Sequence, residues 1–493
     1  MNAVLKSPAI ALVKNVFFCP QIFLEGREAG MMRALSRREF LRLVALAAAA
    51  AATGCGNGGR GGSATGTFAP AATPSVRLSG DLRILQWSHF VPKHDEWFDP
   101  FAQDWGRQVG VNVTVDHIDQ AEIPARAGSE IAAGQGHDLI EFIFPPSSLE
   151  PSLMDLTDLN REAESRFGEQ LALCTRSTYN PRTEKFWGFC HGWAPDPGNF
   201  RTSLWEGVGM GDGPTTYEEL LEGGTRIKTD QNIPLGLGMS NEIDSNMAAR
   251  ALIWSFGGSV QDAEQNVTLN SAETVAAVEM MTRLFRGAMT DEVFGWNAAS
   301  NNQGLIAGQL SYILNSISAY RSAQKVNPEV AADIGFSAPL TGPGGSGLAS
   351  AHAIPIYVVP NHAANPDAAK EFILHLLANY SAATNNSELY TLPAFPDTVE
   401  EAGDWLDDDP YESRPAGKLA LLKDAESWST NVGHPGPTNA AIGEVFSTFV
   451  LPQMMAKAAR GQMSAQQAVE EADAQVRTIF QKWRQNGLVG GER

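Results

Sequence analysis

The strongest constraint on the fold comes from residues 81–144, where apolar strand patterns alternate with amphipathic helix patterns. The stretch LRILQW reads as a buried strand, and HDEWFDPFAQDWGRQVG follows with Trp97, Phe101 and Trp105 four residues apart, as on one helix face. VNVTVDHI, IPARAGSEIAAGQG and HDLIEFIF then read as strand, helix and strand. This β-α-β-α-β order predicts an α/β fold built on a mainly parallel sheet.

Helix and strand patterns of the same kind continue through the rest of the chain. PTTYEELLEGGTRIK carries Thr216 and Glu219 at the spacing of a capping box, which predicts a helix start there. Near the C-terminus, Val469, Val476 and Phe480 fall on one stripe of a predicted docking helix. The 493 residues are enough for two or more domains.

The segment SRREFLRLVALAAAAAATGC, residues 36–55, predicts export. Arg37 and Arg38 resemble the twin-arginine signal, and the apolar run at 43–52 is too short to span a bilayer. ATGC resembles a lipobox, in which Cys55 is acylated, although Ala52 stands where leucine is usual. The alternative is an alanine-rich core helix. Residues 1–54 are thus interpreted as an export signal with translation starting at Met31 or Met32, or with a genuine extra segment.

Residues 55–79 are rich in Gly, Ser, Thr, Ala and Pro, which predicts a flexible tether. A formal charge of −20 makes nucleic acid and anionic lipid unfavourable partners. We therefore expect contact with the membrane only through the N-terminal lipid, and a monomer on the outer face of the cytoplasmic membrane or in the periplasm.

After processing, Cys174 and Cys190 would be the remaining cysteines. In an oxidising compartment they can form a disulfide, and two unpaired buried thiols are the alternative. No Cys/His spacing typical of zinc is present, and we predict no metal and no cofactor. Three acidic residues at 407–409 lack the loop of a calcium site, so we interpret them as a solvated run.

Several motifs in order carry a family resemblance over most of residues 80–485. They are GPTTYEELLEGGTRIK, PLGLGM, ALIWSFGGSV, LNSAETVAAVEMMTRLF, NNQGLIAGQLSYILNS and NPDAAKEFILHLL. The set resembles family 1 extracellular solute-binding proteins, the receptors of ABC importers for sugars and related solutes. One departure is PDPGNFRTSLW, where many members carry a different motif after the first crossing.

The resemblance implies two α/β lobes, each with a mainly parallel sheet, joined by a hinge that the chain crosses three times. We place the crossings near 190–193, 337–340 and 391–395, so that lobe one is 80–191 plus 338–391 and lobe two is 192–337 plus 392–493. A small polar solute, a carbohydrate or polyol, would close the lobes and be delivered to ABC permease subunits.

Sugar sites combine aromatic faces with acids, amides and other polar side chains. The candidate ligand-binding residues lie after predicted strands or crossings: Trp87, His89, Trp193, Asp196, Asn315 and His352. Weaker candidates are Ser88, Ser147, Trp254, Asn301, Asn302 and Tyr320. For each tryptophan the alternative is a place in the core, and for each histidine a structural hydrogen bond.

A catalytic role has little support in the sequence, and we predict no catalytic residues. GPGGSG at 342–347 matches a dinucleotide-binding pattern, but the LASAHAIPIYVV that follows is not a helix. The sequence carries no nucleophile-elbow, P-loop or zinc-protease motif. A secreted carbohydrate-active enzyme and a tethered structural or adhesive protein stay as alternatives.

Overall fold

A computed structural model describes residues 71–72, 74 and 76–492. The predicted export signal, Cys55 and most of the predicted tether lie outside the described residues. The last part of the predicted tether contacts the folded body, since Leu78 is buried and the Ala71 N–H donates to Gln108 Oε1 at 2.9 Å.

The strands are mostly short. Their bounds are β1 Asp81–Trp87, β2 Asn112–Ile118, β3 Leu139–Phe142, β4 Tyr179–Asn180, β5 Lys185–Phe186, β6 Phe189–Cys190, β7 Gly192–Trp193, β8 Gly198–Arg201, β9 Tyr312–Leu314, β10 Ile334–Ser337, β11 Ala349–Ser350, β12 Ile356–Val358, β13 Leu392–Pro393 and β14 Ser429–Thr430.

Helices account for much of the rest. Their bounds are α1 Pro92–Val109, α2 Ile123–Ala133, α3 Thr157–Phe167, α4 Ala172–Thr178, α5 Thr202–Glu206, α6 Tyr217–Gln231, α7 Ile243–Ser255, α8 Ala272–Ala288, α9 Ser300–Ile306, α10 Ser318–Val326, α11 Pro328–Asp333, α12 Pro366–Ala378, α13 Tyr380–Asn386, α14 Ala402–Asp407, α15 Ala425–Trp428, α16 Ala440–Ser447, α17 Val450–Ala459 and α18 Ala465–Gln485. Short 3₁₀ helices cover Ser147–Ser152, Asp291–Phe294, Pro396–Thr398 and Ala416–Asp424.

The first sheet contains five strands in the order β2-β1-β3-β12-β6. β1 pairs in parallel with β2 and β3, while β12 is antiparallel to β3 and β6. The β-α-β-α-β prediction for the start of the body is therefore confirmed, as is the capping box that begins α6 at Thr216. The predicted stripe of α18 is also buried.

The second sheet contains β10, β8 and β9, and it departs from the expected parallel pattern. β8 is antiparallel to both neighbours, and a single parallel bridge joins Gly236 to Ile313. Whether neighbouring strands run parallel or antiparallel depends on the path of the long chain segments that connect them. The apolar pattern of strands three or four residues long carries no information about that path.

Segments of the chain run side by side between the two sheets and form the hinge. β7 pairs with β13, and Ala194 is bridged to Ala353. The backbones approach closely here, because a Cβ on Gly192 would lie 2.0 Å from Tyr380 Oη and 2.7 Å from Thr391 Cγ2. Glycine at this position therefore lets the hinge strands pack against α13.

Residues 338–350 pack against elements next to the second sheet. Ser255 Oγ donates to Leu340 O at 2.9 Å, the Thr341 N–H donates to Thr215 O at 2.9 Å, and β11 pairs with β14. The first-sheet contact begins where the Ile354 N–H donates to Ile143 O at 2.9 Å. We therefore propose that the second crossing lies at 351–354 rather than 337–340, and that 338–350 belongs to lobe two.

Candidate ligand-binding site

A group of buried polar side chains lies beside the hinge. His352 Nδ1 is 3.1 Å from Asp196 Oδ1, and His352 Nε2 is 3.8 Å from Asp244 Oδ1. Asn315 Nδ2 donates to Asp244 Oδ2 at 3.4 Å. We call Asp196, Glu242, Asp244, Asn315 and His352 the hinge cluster; each of these residues is at most 7% exposed.

The hinge brings His352 and Asp196 together. The His352 N–H donates to Ala194 O at 2.8 Å, so the two chain segments lie directly side by side. Asp196 stands between β7 and β8, and His352 stands between β11 and β12. The contact is thus a consequence of hinge pairing, although the two residues are far apart in sequence.

The N-terminus of α7 supplies two of the acids. Glu242 is the N-cap, and its carboxylate accepts from the backbone N–H groups of Asp244 and Ser245. Asp244 lies in the first turn. Because the N-terminus of a helix carries a partial positive charge of roughly +0.5, it favours acids at these positions.

Asparagines from two neighbouring elements complete the cluster on one side. Asn315, directly after β9, donates to Asn302 Oδ1 at 2.8 Å and to Asn301 Oδ1 at 3.2 Å. Asn301 and Asn302 lie in α9. The structure therefore joins Asn301, Asn302, Asn315, Asp196 and His352, all of which the sequence analysis proposed.

Several buried polar atoms at this place have no hydrogen-bond partner among the described residues. They are Asp196 Oδ2, Trp193 Nε1 and Tyr390 Oη. Asp196 and Tyr390 are 0% exposed. An unmade hydrogen bond at a buried atom costs about 1–3 kcal/mol, so each of these atoms is a position that a polar ligand would stabilise.

Burial shifts the pKa values of the acids in the hinge cluster. Desolvation raises the pKa of Asp196, although the neighbouring His352 opposes the shift. Desolvation, with repulsion from Glu242 and Asp196, raises the pKa of Asp244 well above its usual value. Burial also raises the pKa of Tyr390, and the negative charges of Asp244 and Asp196 add to the effect, which places this phenol close to the acids.

Trp87 and His89 lie next to this site, where they pack against other aromatic rings. Their rings stack with centroids 4.7 Å apart, and the His89 ring meets the Tyr390 ring edge-on at 5.2 Å. Desolvation and repulsion from His94 lower the pKa of His89, so this imidazole is neutral near pH 7. Tyr390 therefore connects the end of β1 with the hinge cluster.

The remaining weaker candidates lie elsewhere. Ser88 is exposed, and Ser147 Oγ donates to Asn439 O at 2.8 Å. Trp254 packs edge-on against His434 at 5.5 Å. Tyr320 is buried, and its Oη donates to Ser413 Oγ at 2.8 Å.

The acidic run at 407–409 is only partly solvated, which corrects the sequence interpretation. Asp407 and Asp408 are exposed, whereas Asp409 is buried and bonds Arg321 through both carboxylate oxygens. Among the described residues there is no group of three or more His, Cys, Asp or Glu placed to hold a metal ion.

Cys174 and Cys190 are free, buried thiols in this structure, which is the arrangement of the thiol alternative. Cys190 Sγ donates to Gly192 O at 3.3 Å. Burial raises the pKa of Cys174 well above its usual value, and a hydrogen bond with Cys190 adds to the shift. In this state the pair is an inert part of the core beside the hinge.

A second buried network was missed by sequence reasoning. Glu141 Oε1 is 2.7 Å from His191 Nε2, and His191 Nδ1 is 3.0 Å from Tyr380 Oη. Burial raises the pKa of Glu141 to about 8 and lowers that of His191 to about 3. At neutral pH both are therefore mainly uncharged. The available signal was a single acid inside the apolar strand LIEF.

Glu242, Asp244 and Tyr390 were also missed. The acids begin a helix, where Asp and Glu are common as caps, and the tyrosine stands in the apolar stretch LYTLPAF. A chain with two α/β units, paired hinge strands and a buried polar cluster beside them has the architecture of a bilobal ligand-binding protein.

The family is identified by comparison with known proteins. The family model described as bacterial extracellular solute-binding protein matches residues 96–413, and the chain belongs to this family. Membership implies export from the cytoplasm. In the part of the chain that the structure describes, no helix is both long and apolar enough to cross a membrane.

Solved structures show the same fold. Maltose-bound MalE3 of T. maritima is 18% identical, with a TM-score of 0.66 over 81% of this chain and 100% of that one. A sugar transporter protein of Arthrobacter chlorophenolicus with bound laminaribiose is 16% identical, with a TM-score of 0.68 over 81% and 99%. Both are two-lobed sugar-binding proteins, which confirms the predicted fold class.

One curated relative, a "probable ABC transporter-binding protein" of Deinococcus radiodurans, is 26% identical over 193 residues. The match covers 37% of this chain and 46% of the relative, so the chain spans about half the length of the curated protein it matches.

Proposed function

We propose that this extracellular solute-binding protein captures a carbohydrate or polyol between its lobes and delivers it to the permease subunits of an ABC transporter. The observation that carries the proposal is the set of unpartnered buried atoms at the hinge, Asp196 Oδ2, Trp193 Nε1 and Tyr390 Oη. The sugars bound by the two structural neighbours, and the description of the Deinococcus relative as an ABC transporter-binding protein, support it.

Closure follows from burial. Because the cluster residues are almost wholly buried, a solute reaches them only when the lobes separate. Contacts from both lobes form only in the closed state, so the solute selects that state and closure reports occupancy to the transporter. The site offers both hydrogen-bond donors and hydrogen-bond acceptors. A polyhydroxylated solute can use both kinds of group, because each of its hydroxyls donates and accepts.

We further propose that export uses Arg37 and Arg38 and that Cys55 carries the lipid anchor. With the acidic charge of the chain, this leaves the lipid as the membrane contact and keeps the body of the receptor in solution. We propose lobe one as about 80–191 plus 351–391, and lobe two as the rest of the folded body.

The test is a thermal-shift screen of the full chain with sugars and polyols, followed by mass spectrometry of the recovered solute. We expect at least one to raise the melting temperature and to be recovered unchanged, since a ligand at 100 times its Kd stabilises the folded state by about 2.7 kcal/mol. Trp193→Phe removes an N–H donor and should weaken binding, with Trp405→Phe as the matched control. No shift across the panel contradicts the proposal, and a consumed solute indicates an enzyme.

A further inference from the structure

With all three of its carboxyl groups ionised, the hinge cluster would carry more negative charge than its protein partners can balance. Asp196, Glu242 and Asp244 contribute three buried carboxylates. Among the described residues, the ion pairs of Asp196 and Asp244 are made with His352, and no lysine or arginine pairs with any of the three. The cations nearest in sequence are engaged elsewhere: Arg201 pairs with Asp333, and Arg250, on another face of α7, bonds Asn246 and the Val432 carbonyl.

The available positive charge is insufficient even at its maximum. A protonated His352 contributes one unit, and the N-terminus of α7 contributes roughly half a unit. Against three ionised carboxylates, about one and a half negative charges stay unbalanced. Buried charges in proteins are normally paired, so the cluster either keeps protons on its acids or receives a cation from outside.

Two buried polar atoms without a hydrogen-bond partner indicate an incoming ligand. Asp196 Oδ2 has no partner although the side chain is 0% exposed and its other oxygen bonds His352. Tyr390, from the other side of the hinge, also has an unpartnered hydroxyl and is 0% exposed. An acceptor and a hydroxyl without partners beside surplus negative charge fit a ligand group that donates several hydrogen bonds.

We propose that the solute carries a protonated amine, which Asp196 and Asp244 bind as its counter-charge. This inference rests on the proposed function and narrows it: the solute is an amino sugar or amino polyol. The ammonium donates to Asp196 Oδ2 and to the Asp244 carboxylate, while a hydroxyl accepts from Trp193 Nε1. A charge-assisted hydrogen bond of this kind is roughly twice as strong as a neutral one.

The test compares matched solutes that differ only at the amine. Glucosamine, galactosamine and mannosamine are each measured at pH 7 against the parent sugar and the N-acetyl derivative, and 1-amino-1-deoxysorbitol is measured against sorbitol. Isothermal titration with the full chain gives the affinity of each. We expect the amine of at least one set to bind at least tenfold more tightly than both neutral members.

Variants assign the effect to the carboxylates. Asp196→Asn keeps the shape and removes the charge, so the advantage of the amine over the neutral members should fall to less than threefold. Asp244→Asn is the second variant should the first fail to fold. Asp407→Asn, with its carboxylate in an exposed ion pair, is the control and should leave the advantage intact.

The outcomes separate the two proposals. A neutral sugar or polyol that binds as tightly as its amine overturns the inference and leaves the proposed function standing. Equal loss of amine and neutral binding in Asp196→Asn also overturns it, because the carboxylate would then act as a hydrogen-bond acceptor alone. If no member of any set binds while another sugar or polyol of the thermal-shift panel does, the inference is overturned and the proposed function stands; no binding in either experiment overturns both.

Discussion

Replacing Asp409 with alanine is expected to lower the free energy of unfolding by about 3–5 kcal/mol. Asp409 and Arg321 form a two-point ion pair, with Nη1–Oδ2 at 2.6 Å and Nη2–Oδ1 at 3.0 Å. Their side chains are 0% and 1% exposed. Removing the carboxylate leaves the guanidinium buried without its counter-charge. Chemical denaturation followed by circular dichroism measures the loss.

Two controls distinguish a buried charge from the mere loss of a contact. Asp407→Ala breaks an exposed pair with Lys423 and should cost less than about 1 kcal/mol. The double variant Arg321→Met/Asp409→Leu removes both charges and should recover most of the stability lost in Asp409→Ala. Equal losses at 409 and 407 would contradict the account of this ion pair.

The second large effect is expected in the pH dependence of stability. Burial raises the pKa of Glu141 from 4.5 to about 8 and lowers that of His191 from 6.5 to about 3. Each unit of pKa difference corresponds to about 1.4 kcal/mol, so each group contributes on the order of 4 kcal/mol at its favourable extreme. The protein should be most stable between the two unfolded-state values, near pH 4.5–6.5.

The sign of each pH effect follows from the linkage between proton binding and folding. Glu141 binds its proton more tightly in the folded state, so its contribution is complete below pH 4.5 and is lost as pH rises to about 8. His191 binds its proton less tightly in the folded state, so its contribution is complete above pH 6.5 and is lost as pH falls to about 3. Between 4.5 and 6.5 the two slopes oppose each other.

Glu141→Gln tests the predicted loss of stability at alkaline pH. The amide cannot ionise and can still bond His191, so the loss of stability between pH 6.5 and 8 should become smaller by about 1.4 kcal/mol per pH unit. Melting temperatures across pH 4–9 measure the profile. Glu292→Gln, at an exposed position, serves as the control. If Glu141→Gln loses as much stability at alkaline pH as the original protein, a group other than Glu141 causes that loss.

Much of the fold could be predicted from the sequence because its signals are local. The apolar runs of β1, β2 and β3 and the caps of α6 depend on residues a few positions apart. The antiparallel second sheet and the position of the second crossing depend on where long connections return. Thr341 and Leu340 bond Thr215 and Ser255, and no local pattern encodes those pairings.

The residues of the candidate site also divide into those that the sequence indicates and those that it does not. Trp193, Asp196 and His352 could be proposed because they flank expected hinge crossings, and the structure places Asp196 against His352. Asp244 could not, because an acid in the first turn of a helix is usually a surface feature that favours the helix dipole. Whether these residues contact solute stays a prediction, which depends on the direction of each side chain in the closed lobes.

The central claim is that two lobes close on a solute at the hinge cluster, and small-angle X-ray scattering tests it most directly. The full chain is measured alone and with a saturating concentration of a solute identified by the thermal-shift screen. We predict a smaller radius of gyration with the solute, and no such change in Trp193→Phe at a concentration where that variant stays unoccupied. An identical radius of gyration with and without bound solute would contradict the account.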